Sequence, residues 1–219
     1  EYDYQFKKKL KALVIVDLQN DFLPGGALEV PEGDMIVEKI NDILDNYDLI
    51  IATKDWHPKD HISFASKHKN KDVGDVINYE GINQILWPDH CIQKSPGSDF
   101  PKNFNSSKIK KIVYKGQNSN IDSYSAFYDN AKDASTGLTD FLRIKKVEKV
   151  DFVGLATEYC VKFTALDSVS EGFYTRVITK CTKGLNEYDC KLAFDEMRDK
   201  GIVLILSLIH ISEPTRHER

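Results

Sequence analysis

Short apolar, β-branched runs recur along the chain at Leu13–Val16, Leu49–Ala52, Ile112–Tyr114, Val150–Gly154, Tyr174–Thr179 and Ile202–Leu206. Runs of this kind suit strands buried on both faces. Helical periodicity separates most of them. Met35 to Leu44 places Ile36, Ile40, Ile43 and Leu44 on one face. After Glu158, a stripe of Val161, Ala165 and Val169 closes near Gly172, and Lys191 to Lys200 carries Leu192, Phe194 and Met197 before Gly201. A glycine just past the last apolar position is a stop signal. The alternation predicts an α/β domain, a parallel sheet with helices on both faces. The stretch from Pro58 to Ile109 interrupts it. Rich in Lys, Asp, Asn and Pro, it reads as a long irregular loop, a length that is usually functional or disordered.

At 219 residues the chain fits one large domain with a full core. A formal charge of −4, with acids and bases mixed along the chain, gives no footprint for nucleic acid. The apolar runs stop short of a membrane span, and no signal-peptide pattern precedes the first strand. Cys91, Cys160, Cys181 and Cys190 form no CxxC pair, so reduced thiols in a cytoplasmic protein are expected. Residues 1–10 read as a polar arm and 11–206 as the domain. Residues 207–219 have no place in the alternation and read as a non-native tail that resembles translated sequencing adapter.

The reactive residues fall at the ends of these runs. Asp17 follows the first, Asp55 and His57 the second, Lys115 the third, and Cys160 lies just past the fourth. In an open parallel sheet ligands bind outside the carboxyl ends of the strands, so four strands would deliver these groups to one edge. Asp55 and His57, two apart at a strand end, share a face. With His90, in Leu86-Trp87-Pro88-Asp89-His90-Cys91, they make a three-ligand set that leaves positions open, as catalytic metals require. A thiol in a first helical turn meets free N–H groups and the positive end of the macrodipole, which favour thiolate and could also hold an oxyanion. Each residue has a plainer reading. Asp-x-His is common at strand ends, Asp17 suits a turn, Lys115 could be a solvated lysine, and a free cysteine is most often a small buried hydrophobe. Cys181 and Cys190 have no evident chemical company; Cys91 adjoins a candidate ligand and could be either.

Taken together, Asp17-Leu-Gln-Asn-Asp-Phe22, Pro24-Gly-Gly, Asp55-Trp-His-Pro, Trp87-Pro-Asp-His-Cys91, Lys115-Gly, Asp122-Ser-Tyr-Ser-Ala-Phe127 and Gly154-Leu-Ala-Thr-Glu-Tyr-Cys160 resemble the nicotinamidases of the isochorismatase-like hydrolase superfamily. The similarity runs in order from about Lys11 to Leu206. The resemblance implies a three-layer α/β/α fold with a six-stranded parallel sheet. It implies a Cys-Asp-Lys triad of Cys160, Asp17 and Lys115, with the Ala156 and Cys160 N–H groups as oxyanion donors. It also implies one divalent metal on Asp55, His57 and His90, zinc foremost and iron or manganese as alternatives. Phe22, Trp87 and Tyr124 match positions lining the ring pocket, and Leu155-Ala156 matches a bond that is cis in relatives. The implied reaction converts nicotinamide, and also pyrazinamide, to the acid and ammonia through a cysteine thioester, as in NAD salvage.

Beside the matched trio, Ser63 could hold a metal-bound water, and His61 reads as a pocket-rim residue. His68, His210 and His217 read as surface histidines. Rivals are another isochorismatase-type amidase, an inactive binding module and a metal store. The Asp-x-His…His set opposes the first, the intact triad residues the second, and an incomplete coordination shell the third. A homo-oligomer is compatible with the sequence.

Overall fold

The computed structural model describes residues 9–211. All six apolar runs are strands of one parallel sheet: β1 (Leu10–Val16), β2 (Leu49–Asp55), β5 (Lys111–Lys115), β6 (Val147–Leu155), β7 (Tyr174–Lys183) and β8 (Val203–Ile205), in the order β5-β2-β1-β6-β7-β8. Side-chain alternation splits the core into two layers. Ala12, Val14 and Val16 of β1 join Val150 and Phe152 of β6 on one face; Leu13 and Ile15 join Val153 and Leu155 on the other. Helix α1 (Met35–Ile43) covers the second face with Ile36, Val37, Ile40 and Ile43. Helices α2 (Leu138–Ile144), α3 (Lys162–Ser170) and α4 (Glu187–Asp199) cover the first, through Leu138, Leu142, Ala165, Ala193 and Met197. The fold is therefore a three-layer α/β/α sandwich.

Periodicity placed three of the four helices. Helix α4 begins earlier than the apolar stripe, because the Asn186 side chain accepts the Asp189 N–H and caps a polar first turn. Leu192 is half exposed, and Ala193 and Met197 make the buried face instead. Helix α2 escaped the pattern because seven residues give too little period to read. The long loop after β2 is not wholly irregular. It contains an antiparallel hairpin, β3 (Val76–Tyr79) and β4 (Ile82–Ile85), whose turn holds Glu80 and Gly81 at positive φ. Its strands are largely exposed, so no core-facing alternation marked them.

Sheet order reverses around β1: the chain steps to β2 and β5 on one side, then to β6, β7 and β8 on the other. That switch opens a crevice between the carboxyl ends of β1 and β6. Away from it, Arg176 and Asp151 pair on adjacent strands. Arg176 Nε lies 2.6 Å from Asp151 Oδ1, Nη2 lies 2.5 Å from Oδ2, and Tyr47 donates its hydroxyl to Oδ2 at 2.6 Å. Both charges are buried. Arg176→Leu is expected to cost about 3–5 kcal/mol, because it leaves the Asp151 carboxylate buried without its cation. Urea unfolding would measure it, and a loss below 1 kcal/mol would mean that the pair contributes little.

The segment after β8 is less detached than its composition suggests. Leu208–His210 forms a 3₁₀ turn, Ile211 is buried in the second core layer, and its carbonyl accepts from Lys11 Nζ at 2.7 Å. Residues 1–8 of the polar arm and 212–219 of the tail, His217 among them, lie outside the described residues. Among the described residues no helix is long and apolar enough to cross a membrane.

Candidate active site

Asp17 directly follows β1 and is held at φ +48°, in the left-handed region that non-glycine residues avoid. Thr53 of β2 fixes it: the Thr53 hydroxyl donates to Asp17 Oδ1 at 2.6 Å and accepts the Asp17 backbone N–H at 3.1 Å. The other oxygen, Oδ2, lies 2.7 Å from Lys115 Nζ. That contact is an ion pair outside hydrogen-bond geometry, so Oδ2 remains without a hydrogen-bond partner. Lys115, at the end of β5, also contacts Asp55 Oδ1, donates to the Ser123 carbonyl at 3.0 Å, and reaches Cys160 Sγ at 3.3 Å. One buried ammonium thus touches the thiol and both carboxylates.

Burial and charge set the proton positions. Burial pushes the Cys160 thiol well above its ordinary range; Lys115 pulls it down but is outweighed, and Asp17 and Asp55 add to the rise. Burial also raises the Asp17 carboxyl against the pull of Lys115. For Asp55 burial acts upward too, yet Lys115 and His57 outweigh it and hold the carboxyl well below the usual range. Burial disfavours the Lys115 charge, but Asp17 and Asp55 overcome this and keep it an ammonium. Thr157–Val161 forms a π turn ahead of α3, and Cys160 sits there buried beside the two carboxylates. Reaction at that sulfur requires a base. The Leu155–Ala156 peptide bond is cis, as the resemblance implied.

Asp55, His57 and His90 converge beside this ammonium, their ligand atoms all within 4.8 Å of one another. Asp55 Oδ2 lies 3.5 Å from His57 Nε2 and 3.6 Å from His90 Nε2. Each ring turns Nδ1 to a backbone carbonyl: His57 to Gly116 O at 2.8 Å, His90 to Pro88 O at 2.7 Å. A carbonyl only accepts, so Nδ1 carries a proton, which leaves Nε2 as the ring atom that can ligate. His57 Nε2 is buried with no hydrogen-bond partner. Two ring nitrogens and a carboxylate gathered at one point fit a divalent cation.

Two readings of nearby residues change. His61 is buried rather than at a rim: its ring stacks on His57 at 4.0 Å, and Nδ1 sits 2.7 Å from Ser63 Oγ. Cys190 does have company, donating its thiol to Glu158 Oε2 at 2.8 Å. Cys91 and Cys181 are core thiols.

Phe22, Trp87 and Tyr124 line one narrow slot with Asp55, His90 and Cys160. Trp87 Nε1 donates to the Tyr124 hydroxyl at 3.3 Å, and Tyr159 meets the Trp87 ring edge-on at 5.0 Å. Leu28, Val30 and Leu185 add an apolar wall that sequence reasoning missed, since none lies in a polar motif. Thr53 was also missed, although its position two before Asp55 on β2 puts it on the same face. A larger groove of about 720 Å³ beside α4 contains none of the strand-end groups, so size does not mark the site.

The isochorismatase domain model matches residues 11–207. The nicotinamidase of Escherichia coli (strain K12) is 42% identical over 200 residues, covering 89% of this chain and 93% of that protein. The Acinetobacter baumanii nicotinamidase/pyrazinamidase structure superposes with a TM-score of 0.88 at 40% identity, over 91% of this chain and 97% of that one. A Pyrococcus horikoshii pyrazinamidase in complex with zinc gives 0.73 at 35% identity, over 90% and 99%. The chain belongs to the isochorismatase family.

Proposed function

We propose that this chain hydrolyses nicotinamide to nicotinate and ammonia, and pyrazinamide likewise, with Cys160 as nucleophile. The single observation that carries the reading is the Lys115 ammonium in contact with Asp17, Cys160 and Asp55 at once, which joins a thiol–carboxylate pair to a ligand set. Relatives of both named activities support it.

In the proposed reaction Asp17 Oδ2 takes the proton from Cys160 Sγ, and the sulfur attacks the amide carbonyl carbon. The Ala156 and Cys160 N–H groups receive the oxyanion. Asp17 passes its proton to the amide nitrogen, ammonia leaves, and a thioester remains on Cys160. Water then adds, giving its proton to Asp17, and collapse releases nicotinate while the proton returns to sulfur. Lys115 stays charged throughout and holds both carboxylates in place. Asp55, His57 and His90 would hold the divalent ion, of which zinc is the member we favour over iron or manganese. Such an ion supplies a Lewis-acid contact for the ring nitrogen. Phe22, Trp87 and Tyr124 would flank the ring.

Ammonia release from nicotinamide, pyrazinamide and benzamide tests the reading. The first two are expected to turn over, and benzamide to fall behind in kcat/KM by about a thousandfold, because it leaves the polar contact at the ring position unmade. Equal rates on all three would sink the nicotinamide assignment and keep the thiol amidase.

The ligand set makes its own prediction through Gly116, which stands at φ +66° directly behind His57. A Cβ there would come within 2.6 Å of His57 Nδ1. Gly116→Ala is expected to displace the ring and weaken metal binding by about 10–100-fold. Competition with a chromogenic chelator reads this without any substrate, and an unchanged affinity would remove His57 from the ligand set.

A further inference from the structure

Glu158 stands two residues before Cys160, yet its side chain turns away from the thiol. It is buried, and its two carboxylate oxygens receive one donor each, one from the loop after β7 and one from the first turn of α4. Leu185 N–H donates to Oε1 at 2.6 Å and the Cys190 thiol to Oε2 at 2.8 Å. Gly184 packs so closely that an added Cβ would overlap both Glu158 Oε2 and Cys190 Sγ. Leu185, directly after it, lines the slot together with Ala156 and Cys160.

The turn that carries Cys160 and the loop that carries Leu185 are therefore joined by one buried carboxylate. A carboxylate bonded to a backbone N–H makes one of the stronger hydrogen bonds, and here it fixes the two residues just beyond Lys183, the last paired position of β7. We infer that Glu158 is a positioning residue that sets the width of the ring slot by clamping the Leu185 loop to the Cys160 turn. It touches neither the reacting atoms nor the ligand set. Its effect on substrate passes through Leu185, so it determines how closely a flat ring is held and how large a ring is admitted. This inference rests on the proposed amide hydrolysis for its kinetic readout only.

The test uses Glu158→Gln, Glu158→Ala and Gly184→Ala in the full chain. Gln keeps one acceptor for Leu185 N–H and should stay near wild type. The other two variants release the loop and should raise KM for nicotinamide about tenfold, with kcat within about threefold. They should also narrow the wild-type preference for nicotinamide over its ring-methylated analogues. A variant that merely destabilised the fold would lower the amount of active enzyme, and hence apparent kcat, without moving KM or selectivity. A second measurement needs no turnover: the rate at which Cys160 is alkylated by N-phenylmaleimide relative to N-ethylmaleimide, read by mass spectrometry. Loosening the slot should raise that ratio several-fold in Glu158→Ala. Unchanged KM, selectivity and alkylation ratio would overturn the clamp. A wild-type chain inert to nicotinamide, but with the alkylation ratio shifted in the variants, would overturn the substrate assignment and leave the clamp standing.

Discussion

Cys160→Ala is expected to lower amide turnover by about five to six orders of magnitude while leaving the fold and the ligand set intact. The magnitude follows from losing the covalent route altogether: what remains is the polarisation and positioning that the other groups supply to water. The fold should tolerate the change, because Cys160 contributes one small side chain to a layer held by Phe152, Val161 and Leu142. Removing a sulfur 3.3 Å from Lys115 Nζ also leaves that ammonium its two carboxylates and the Ser123 carbonyl. Asp17→Asn should cost nearly as much, since the raised thiol cannot lose its proton without a base and the two residues act as a unit. Single-turnover assays, with the metal content measured in parallel, separate chemistry from assembly. Steady-state turnover within tenfold of wild type would remove Cys160 from the nucleophile role.

How far the sequence carried depended on the kind of signal. Strands buried on both faces leave continuous apolar runs, so all six sheet strands were legible, and with them the edge where Asp17, Asp55, Lys115 and Cys160 meet. The hairpin Val76–Ile85 was not, because a ribbon exposed on both sides has no buried face to alternate against. Residue types announced the ligands but not their tautomers. Those are set by the Gly116 and Pro88 carbonyls, and a backbone acceptor leaves no mark in sequence. The same limit applies to Leu185 and Glu158, whose roles arise from a contact between separate loops. Helix-end arguments count nearby dipoles, and they do not register how deeply Cys160 is buried or that two carboxylates lie beside it, both of which push its thiol up.

Lys115→Met should be the next most damaging change after Cys160→Ala and Asp17→Asn, lowering kcat/KM by about four orders of magnitude. The ammonium is fully buried and is the cation shared by Asp17 and Asp55. Burial already raises the Asp17 carboxyl, and Lys115 is the largest opposing influence. Without it Asp17 moves further up, so less of it is ionised at a given pH to accept the thiol proton. The sign is testable. Because the base must be ionised to work, the residual activity of Lys115→Met should climb as pH rises from neutral, over a range where the wild-type profile has already levelled. Lys115→Arg, which keeps the charge but not the compact point of contact, should recover part of the rate without restoring the wild-type profile. Asp55 retains His57 and His90 as partners for a cation, so bound metal should persist in the Met variant and thermal unfolding should remain cooperative. A Met variant with wild-type rates and an unshifted profile would mean that Lys115 is a structural counterion and that Asp17 is tuned by burial alone.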